Sequence, residues 1–457
     1  MGPIKIGFLA AAVLLAILAS GNAVAQEGLT SAAQNGFASV AGIFRTRCAT
    51  CHRPGEAAPF SLQTYEDIVK RTSFIKKVIA SGYMPPWRAD EHFRDYANDR
   101  SLTPDEKAQI LRWIDAGAPK GPPSGLSGGG AAAAGTGGNA TGASVASMVY
   151  GRAPDLTLKI DSPFLVPGDD AERFIVFKIP FELPEGKNVE ALELTCNNKK
   201  IIHHINYGFY EVPDTSIPIR GGDPYIDGDK RGPQQLEYEP LKKNFVYYTG
   251  WIPGASYESY PAGFGWTMPR RGVMLLTVHY TALGAEEHSM VGVNLFLTPK
   301  PITRSVKIIS LGSGGVGQEE ISPPLVILAG HVDTFNLEVK TQEDQSLLYV
   351  WPHMHYLGKE FTAYAVSPKG DTIPLVHIPH WDFRWQELYR MKHLVFLPAG
   401  SIVHVIGVYD NTADNPFNPN SPPRLVISTG NMDSKNEMLT LMLIYVAREP
   451  GDEKVQL

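Results

Sequence analysis

Cysteine is nearly missing from this chain: Cys48, Cys51 and Cys196 are the three among 457 residues. Three thiols cannot build a disulfide framework, so packing must hold the fold, with metals as the other available clamp. Charge is sparse as well. Charged residues make up 19%, the formal net charge is -6 and the isoelectric point lies near 6.1, which gives no electrostatic reason to expect a nucleic-acid partner. Beyond the N-terminal segment no apolar run is long enough to cross a bilayer. After residue 120 long helical periods are missing too. The 44 glycines and 36 prolines break the sequence into short β-branched runs, the pattern of strands joined by turns.

What is present begins at the N-terminus. Lys5 precedes an apolar run from Ile6 to Ala19, and Ala23-Val24-Ala25 stands before Gln26, which together read as a secretory signal cleaved after Ala25. The run is short for a membrane span of roughly 20 residues, and no cysteine follows it to carry a lipid, so no stable membrane anchor is expected. The expected location is the periplasm or the outside of the cell.

Residues Cys48-Ala49-Thr50-Cys51-His52 form a C-x-x-C-H run. Two thiols at this spacing add to the vinyl groups of a haem and the following histidine reaches the iron, so the run reads as covalent c-type haem attachment. A zinc half-site is the rival, but such a site wants a second Cys/His pair and only Cys196 remains. Met84, in Tyr83-Met84-Pro85-Pro86-Trp87, is the candidate sixth ligand; as a core methionine it would have no such role, and His92 is a weaker rival. Apolar residues Phe37, Val40, Ile43 and Phe44 precede the motif at helical spacing. Thr103-Pro104-Asp105-Glu106 is a capping box opening an amphipathic helix through Ile110, Leu111, Trp113 and Ile114. Helices flanking a haem predict a small all-α cytochrome c domain over residues 26–120. A stretch of Gly, Ala, Ser and Thr over 121–147 follows as a flexible tether, with a root-mean-square reach of roughly 25 to 30 Å.

Histidines mark the remainder. His203-His204 lies in a strand-like run, where successive side chains point to opposite faces, so the two can share a metal only if a bulge re-aims one of them. His279 ends the alternating strand Leu275-Leu276-Thr277-Val278-His279. In His353-Met354-His355 the i, i+2 spacing puts both imidazoles on one face, close enough to hold one ion. Imidazole suits zinc, copper, iron and nickel alike, so the ligands alone do not choose. His331, His377, His380, His393 and His404 read as core or surface residues, while Asp410 is a candidate to orient a ligand histidine.

The ordered set His203-His204, His279, His353-Met354-His355 and Glu437-Met438 resembles the copper type II, ascorbate-dependent monooxygenases, which include the peptidylglycine alpha-hydroxylating and dopamine beta-monooxygenases. The resemblance covers roughly residues 148 to 457. It implies two jelly-roll-like β-sandwiches, over 148–300 and 301–457, each carrying one copper. By the same resemblance His203, His204 and His279 hold the electron-transfer copper, and His353, His355 and Met438 hold the copper where dioxygen binds and substrate is hydroxylated. A thioether is a soft ligand favouring Cu(I), which is what makes Met438 informative; Met432 is a possible substitute. Two departures bear on substrate. Trp351 stands where peptide-acting members have an arginine, and Thr440 and Met442 stand where they have Asn and Tyr. Trp cannot grip a carboxylate as a guanidinium does, so peptide amidation is not expected and the pocket mouth should be apolar.

The expectation is thus a multidomain chain, a small all-α cytochrome c domain followed by two all-β sandwich domains. Its expected activity is copper-dependent hydroxylation of a small molecule by dioxygen, with electrons relayed by its own haem from a periplasmic donor or an ascorbate-like reductant. The alternatives are a haem and copper electron-transfer protein without hydroxylase activity, and a haem-centred enzyme such as a peroxidase.

Overall fold

The structure is a computed structural model that describes residues 36–121, 151–228, 236–255, 257–281, 283–314, 317–318, 321–428 and 436–457. The signal segment, nearly all of the tether and Met432 lie outside the described residues. The chain divides into two compact units, one comprising Met1–Pro54, Pro59–Pro86 and Arg100–Ala143, the other Gly55–Ala58, Trp87–Asp99 and Ser144–Leu457.

The first unit contains helices α1 (Ala38–Ile43), α2 (Tyr65–Val69), α3 (Thr72–Ala80) and α4 (Pro104–Asp115), with a π-helical turn Phe44–Cys48 running on from α1. The expected capping box opens α4: Thr103 Oγ1 accepts from the Glu106 N–H while Glu106 accepts from the Thr103 N–H, and Pro104 takes the first helical turn. A second box, Thr64 with Asp67, opens α2. Val40, Phe44, Leu62, Ile68, Ile75, Ile79, Ile110 and Trp113 form the core.

The expected all-α cytochrome domain is corrected by this structure. Helix amounts to only about 13%, the longest helix has 12 residues, and no sizeable all-α N-terminal domain exists among the described residues. The physical reason lies in residues 81–103, where Pro85-Pro86 and a polar, aperiodic run supply no helical face. Trp87–Asp99 instead packs as part of the β unit. Tyr96 Oη donates to the Leu375 carbonyl at 2.7 Å, Arg88 pairs with Asp382 at 3.2 Å, and Asn98 donates to the Leu388 carbonyl at 2.9 Å.

The β unit holds two pairs of sheets. In the first pair one sheet runs Leu156–Lys159, Val291–Leu297, Lys187–Cys196, Phe264–Met268, Arg304–Ser305; the other runs Tyr225–Asp227, Arg173–Glu182, Arg271–Tyr280, Ile202–Glu211, Asn244–Trp251. Leu192, Leu194, Val293 and Leu295 from one meet Ile175, Phe177, Ile205 and Leu276 from the other in a single core. The second pair runs Gly317–Gln318, Lys307–Gly314, Thr440–Ala447, Gln345–His353, Tyr389–Leu397 against Ile321–Ser322, Val332–Lys340, Ile402–Asp410, Gly358–Val366, Thr372–Ile378.

Two burial patterns show how the second pair is placed. Ile402–Asp410 alternates strictly between buried and half-buried residues, as expected when one face meets a core and the other does not. Gln345–His353 is buried at every position. Its Leu347 and Val350 enter the second core, while Leu348 and Tyr349 join the core of the first pair, together with Leu394, Ile444 and Val446. Apolar packing is thus continuous from one sandwich to the other. Arg304 adds a polar clamp, pairing both terminal nitrogens with Asp452 at 2.9 Å.

Candidate metal centre

The bulge that the His203-His204 pair requires is present. Along the pairing of Ile202–Glu211 with Arg271–Tyr280, His204 stands opposite His279, but Tyr280 stands opposite Ile202, so His203 is left out of register. The extra residue turns both neighbouring imidazoles to one side, where His279 meets them. One ligand atom from each of His203, His204 and His279 lies within 4.8 Å of the others. Nδ1 of His203 and Nδ1 of His279 are 3.0 Å apart, and Phe174 stacks on the His279 ring at 3.9 Å. Burial lowers the pKa of all three, most strongly for His204 and His279, where repulsion from neighbouring histidines adds to it. Neutral imidazoles with converging lone pairs are what a metal ion needs.

His353 closes the strand Gln345–His353 and His355 follows two residues later, their rings 5.0 Å apart and nearly perpendicular. Each ring has one nitrogen held. Nδ1 of His353 bonds Gln386 Oε1, and Nδ1 of His355 donates to the Asn436 carbonyl at 3.0 Å. Nε2 of His353 is buried with no hydrogen-bond partner among the described residues. An orphaned buried imidazole nitrogen is costly unless something binds it. Burial pushes the His353 pKa down to about 3. Met438 is buried just before Thr440–Ala447, the strand on which Thr440 pairs with His353. Glu437 fixes that neighbourhood: its carboxylate accepts the N–H groups of Leu357 at 2.7 Å, His355 at 2.9 Å and Met438 at 3.3 Å. Imidazole and thioether donors fit copper.

One ring lies between the two sets. Phe383, buried in the loop after Thr372–Ile378, has its centroid 5.6 Å from His203, 5.7 Å from His204, 5.8 Å from His279 and 5.4 Å from His355. The next residue after His355, Tyr356, packs on the same ring at 4.5 Å. Trp381 in that loop donates its Nε1–H to the His355 carbonyl at 3.2 Å. Arg384 is bound by Asp382 through two bonds of 2.8 Å.

The sequence pattern singles out neither Phe383 nor Gln386, and it names Glu437 only as the neighbour of Met438. A glutamate beside the methionine in an apolar strand was the available signal for Glu437. Two readings are revised. Trp351 does not line an open mouth; it is buried, donating Nε1–H to the Gln386 carbonyl at 3.1 Å and packing near Tyr248 of the first sandwich. Asp410 orients no histidine, bonding Thr412 at 2.6 Å and Lys359 at 3.1 Å instead.

In the helical unit, Cys48 closes the π-helical turn and burial pushes its thiol up to about 12. His52 donates Nδ1–H to the Phe60 carbonyl at 3.0 Å, which would leave Nε2 for an iron, and neither Cys48 nor Cys51 is tied up in a disulfide. These residues fit covalent haem attachment. Met84 is half-buried beyond α3, its N–H bonded to the Val78 carbonyl at 3.1 Å; no described contact joins it to His52. His92 is exposed.

No protein-family model and no curated protein matches the chain. Among solved structures it is similar to PNGF-II, at 9% identity and TM-score 0.27 over 63% of this chain and 65% of that one, just under two thirds of its length. It is also similar to the major capsid protein P2 of bacteriophage PM2, at 6% identity and TM-score 0.22 over 65% of this chain and 99% of that one. For allantoicase the identity is 9% and the TM-score 0.16, over 55% and 83%. Likeness this slight carries no argument about activity.

Proposed function

We propose that the chain is an exported copper-dependent monooxygenase that hydroxylates a C–H bond of a small, non-peptide molecule, taking electrons through a haem attached at Cys48 and Cys51. The observation that carries the reading is the bulge at His203, which gathers three neutral imidazoles on one side of the first sandwich. Of a second donor set, His353, His355 and Met438, the His355 ring packs near the same phenyl ring. Copper at these sets would supply the chemistry by which one atom of dioxygen enters a C–H bond and the other leaves as water, with uptake of two electrons and two protons.

The chain's own residues do the rest. Gln386 and the Asn436 carbonyl hold the tautomers that present Nε2 from His353 and His355. Phe383 covers the first set and His355 with an apolar ring, Trp381 and Trp351 are buried beside the second set, and Asp382 holds Arg384, the nearest guanidinium on that loop, in a bidentate pair. That wall suits a neutral, apolar substrate over a carboxylate-bearing peptide.

Copper titration of the purified chain tests the reading. Two equivalents per chain are expected, one lost in His203→Ala and the other weakened in Met438→Ala, with haem oxidation on admission of oxygen to the anaerobically reduced protein requiring copper. Reoxidation without copper would sink the relay. The burial of Phe383 between the sets favours one second reading, an electron carrier without hydroxylase activity. It predicts the same copper content but no substrate-dependent oxygen uptake.

A further inference from the structure

The strand Arg173–Glu182 is preceded by Glu172, whose carboxylate reaches in two directions. Its Oε2 lies 3.3 Å from Nε2 of His279, off the angle of a good hydrogen bond, and its Oε1 accepts the hydroxyl hydrogen of Tyr356 at 2.8 Å. His279 belongs to the first imidazole set and sits in the first sandwich. Tyr356 belongs to the second sandwich and directly follows His355. Nε2 of His279 is buried with the Glu172 carboxylate as the charged group beside it, while Nδ1 faces Nδ1 of His203 at 3.0 Å. A carboxylate behind a ligand imidazole fixes its tautomer and raises its basicity.

We propose that Glu172 is a positioning residue for the first metal set, and that it is itself held by Tyr356 of the second sandwich, so that a residue beside one set controls metal affinity at the other. The proposal rests on the reading that His203, His204 and His279 bind copper. Glu172 carries no strand pairing of its own and is about one third exposed, so without Tyr356 its carboxylate is free to leave His279 for solvent. The arrangement requires the two sandwiches to be docked, and the buried packing of Leu348 and Tyr349 supplies that docking independently of Glu172.

The test measures Cu(I) affinity of each set by competition with a chromogenic chelator, together with the Cu(II) paramagnetic resonance spectrum and the melting temperature. Glu172→Gln should weaken the first set about 10- to 100-fold and change its spectrum, leaving the second set and the melting temperature unmoved. Tyr356→Phe, a change made in the second sandwich, should weaken the first set in the same direction and leave the set that adjoins it within about twofold. If both variants hold copper at the first set as the parent does, the proposal is overturned. It is overturned as well if both sets weaken together with a lower melting temperature, which marks a purely structural tie. A parent chain that binds no copper at His203, His204 and His279 defeats the underlying reading instead.

Discussion

Replacing Glu437 tests how the second donor set is assembled. Its two oxygens accept three backbone N–H groups, Leu357 on Oε1 and His355 and Met438 on Oε2, at 2.7, 2.9 and 3.3 Å in a site closed to water. Burial pushes this carboxyl up to about 8 even against those donors, but ionised or protonated, both oxygens still accept. An amide nitrogen does not. In Glu437→Gln the oxygen can serve one side, retaining two bonds at best, while the NH2 group opposes the Leu357 N–H. One buried donor left unsatisfied costs about 1 to 3 kcal/mol, and Glu437→Leu, which abandons all three, should lose about 3 kcal/mol or more. The bonds lost are those joining the His355 turn to the Met438 strand, so copper at the second set should weaken by at least about tenfold while the first set keeps its affinity. Urea unfolding followed by tryptophan fluorescence gives the stability, and chelator competition gives the two affinities. A Leu variant with the parent's unfolding midpoint and both affinities intact would refute the argument.

Three further outcomes follow from the buried polar groups and close contacts. Asp452→Asn leaves Arg304 without its bidentate partner, and the unfolding free energy should fall by about 3 kcal/mol; burial raises the Asp452 carboxyl, but the bonds from Arg304 and Ser346 outweigh it and hold it well below the usual range, so the contribution is fully present above the unfolded value near 3.8 and is lost only below it, and the gap between parent and variant midpoints should be widest at pH 7 and have only begun to close at pH 3. Glu258 has the opposite sign: burial raises its pKa despite bonds from Tyr247, Thr249 and Tyr260, so the folded state holds a proton that the unfolded state has released, and parent stability should decline as pH rises from about 4.5, a slope that Glu258→Gln flattens in the same unfolding series. Gly250→Ala would drive a methyl group into the Ile205 carbonyl at 2.5 Å and the Trp351 ring, and the melting temperature should fall by several degrees; an unchanged value would show that the junction between the sandwiches yields freely.

The sequence made the donor residues visible and left their assembly hidden. His203-His204 announced a requirement for a bulge, because a period of two forbids neighbours from facing together, but the bulge itself depends on how Arg271–Tyr280 registers against Ile202 and His204. The capping box at Thr103 was legible because every part of it lies within four residues. Phe383 and Glu172 were not legible, since a loop phenylalanine and a glutamate before a strand gain their roles only from partners far along the chain. The all-α domain failed for a related reason. Trp87, Tyr96 and Arg88 are ordinary residues for a helical domain, and only Tyr389, Leu375 and Asp382 show that they belong with the sheets.

Thr440–Ala447 follows every other strand of its sheet in sequence, yet it lies at the centre of that sheet, between Lys307–Gly314 and Gln345–His353. As the chain folds, those two strands keep open edges until the last one arrives, and Met438, two residues before the Thr440 that pairs with His353, takes its place only when that strand inserts. Maturation of the second donor set is thereby tied to the final step of folding. The sheets that carry His203, His204 and His279 contain no part of that last strand, so the two sets of donors are assembled by different steps of folding.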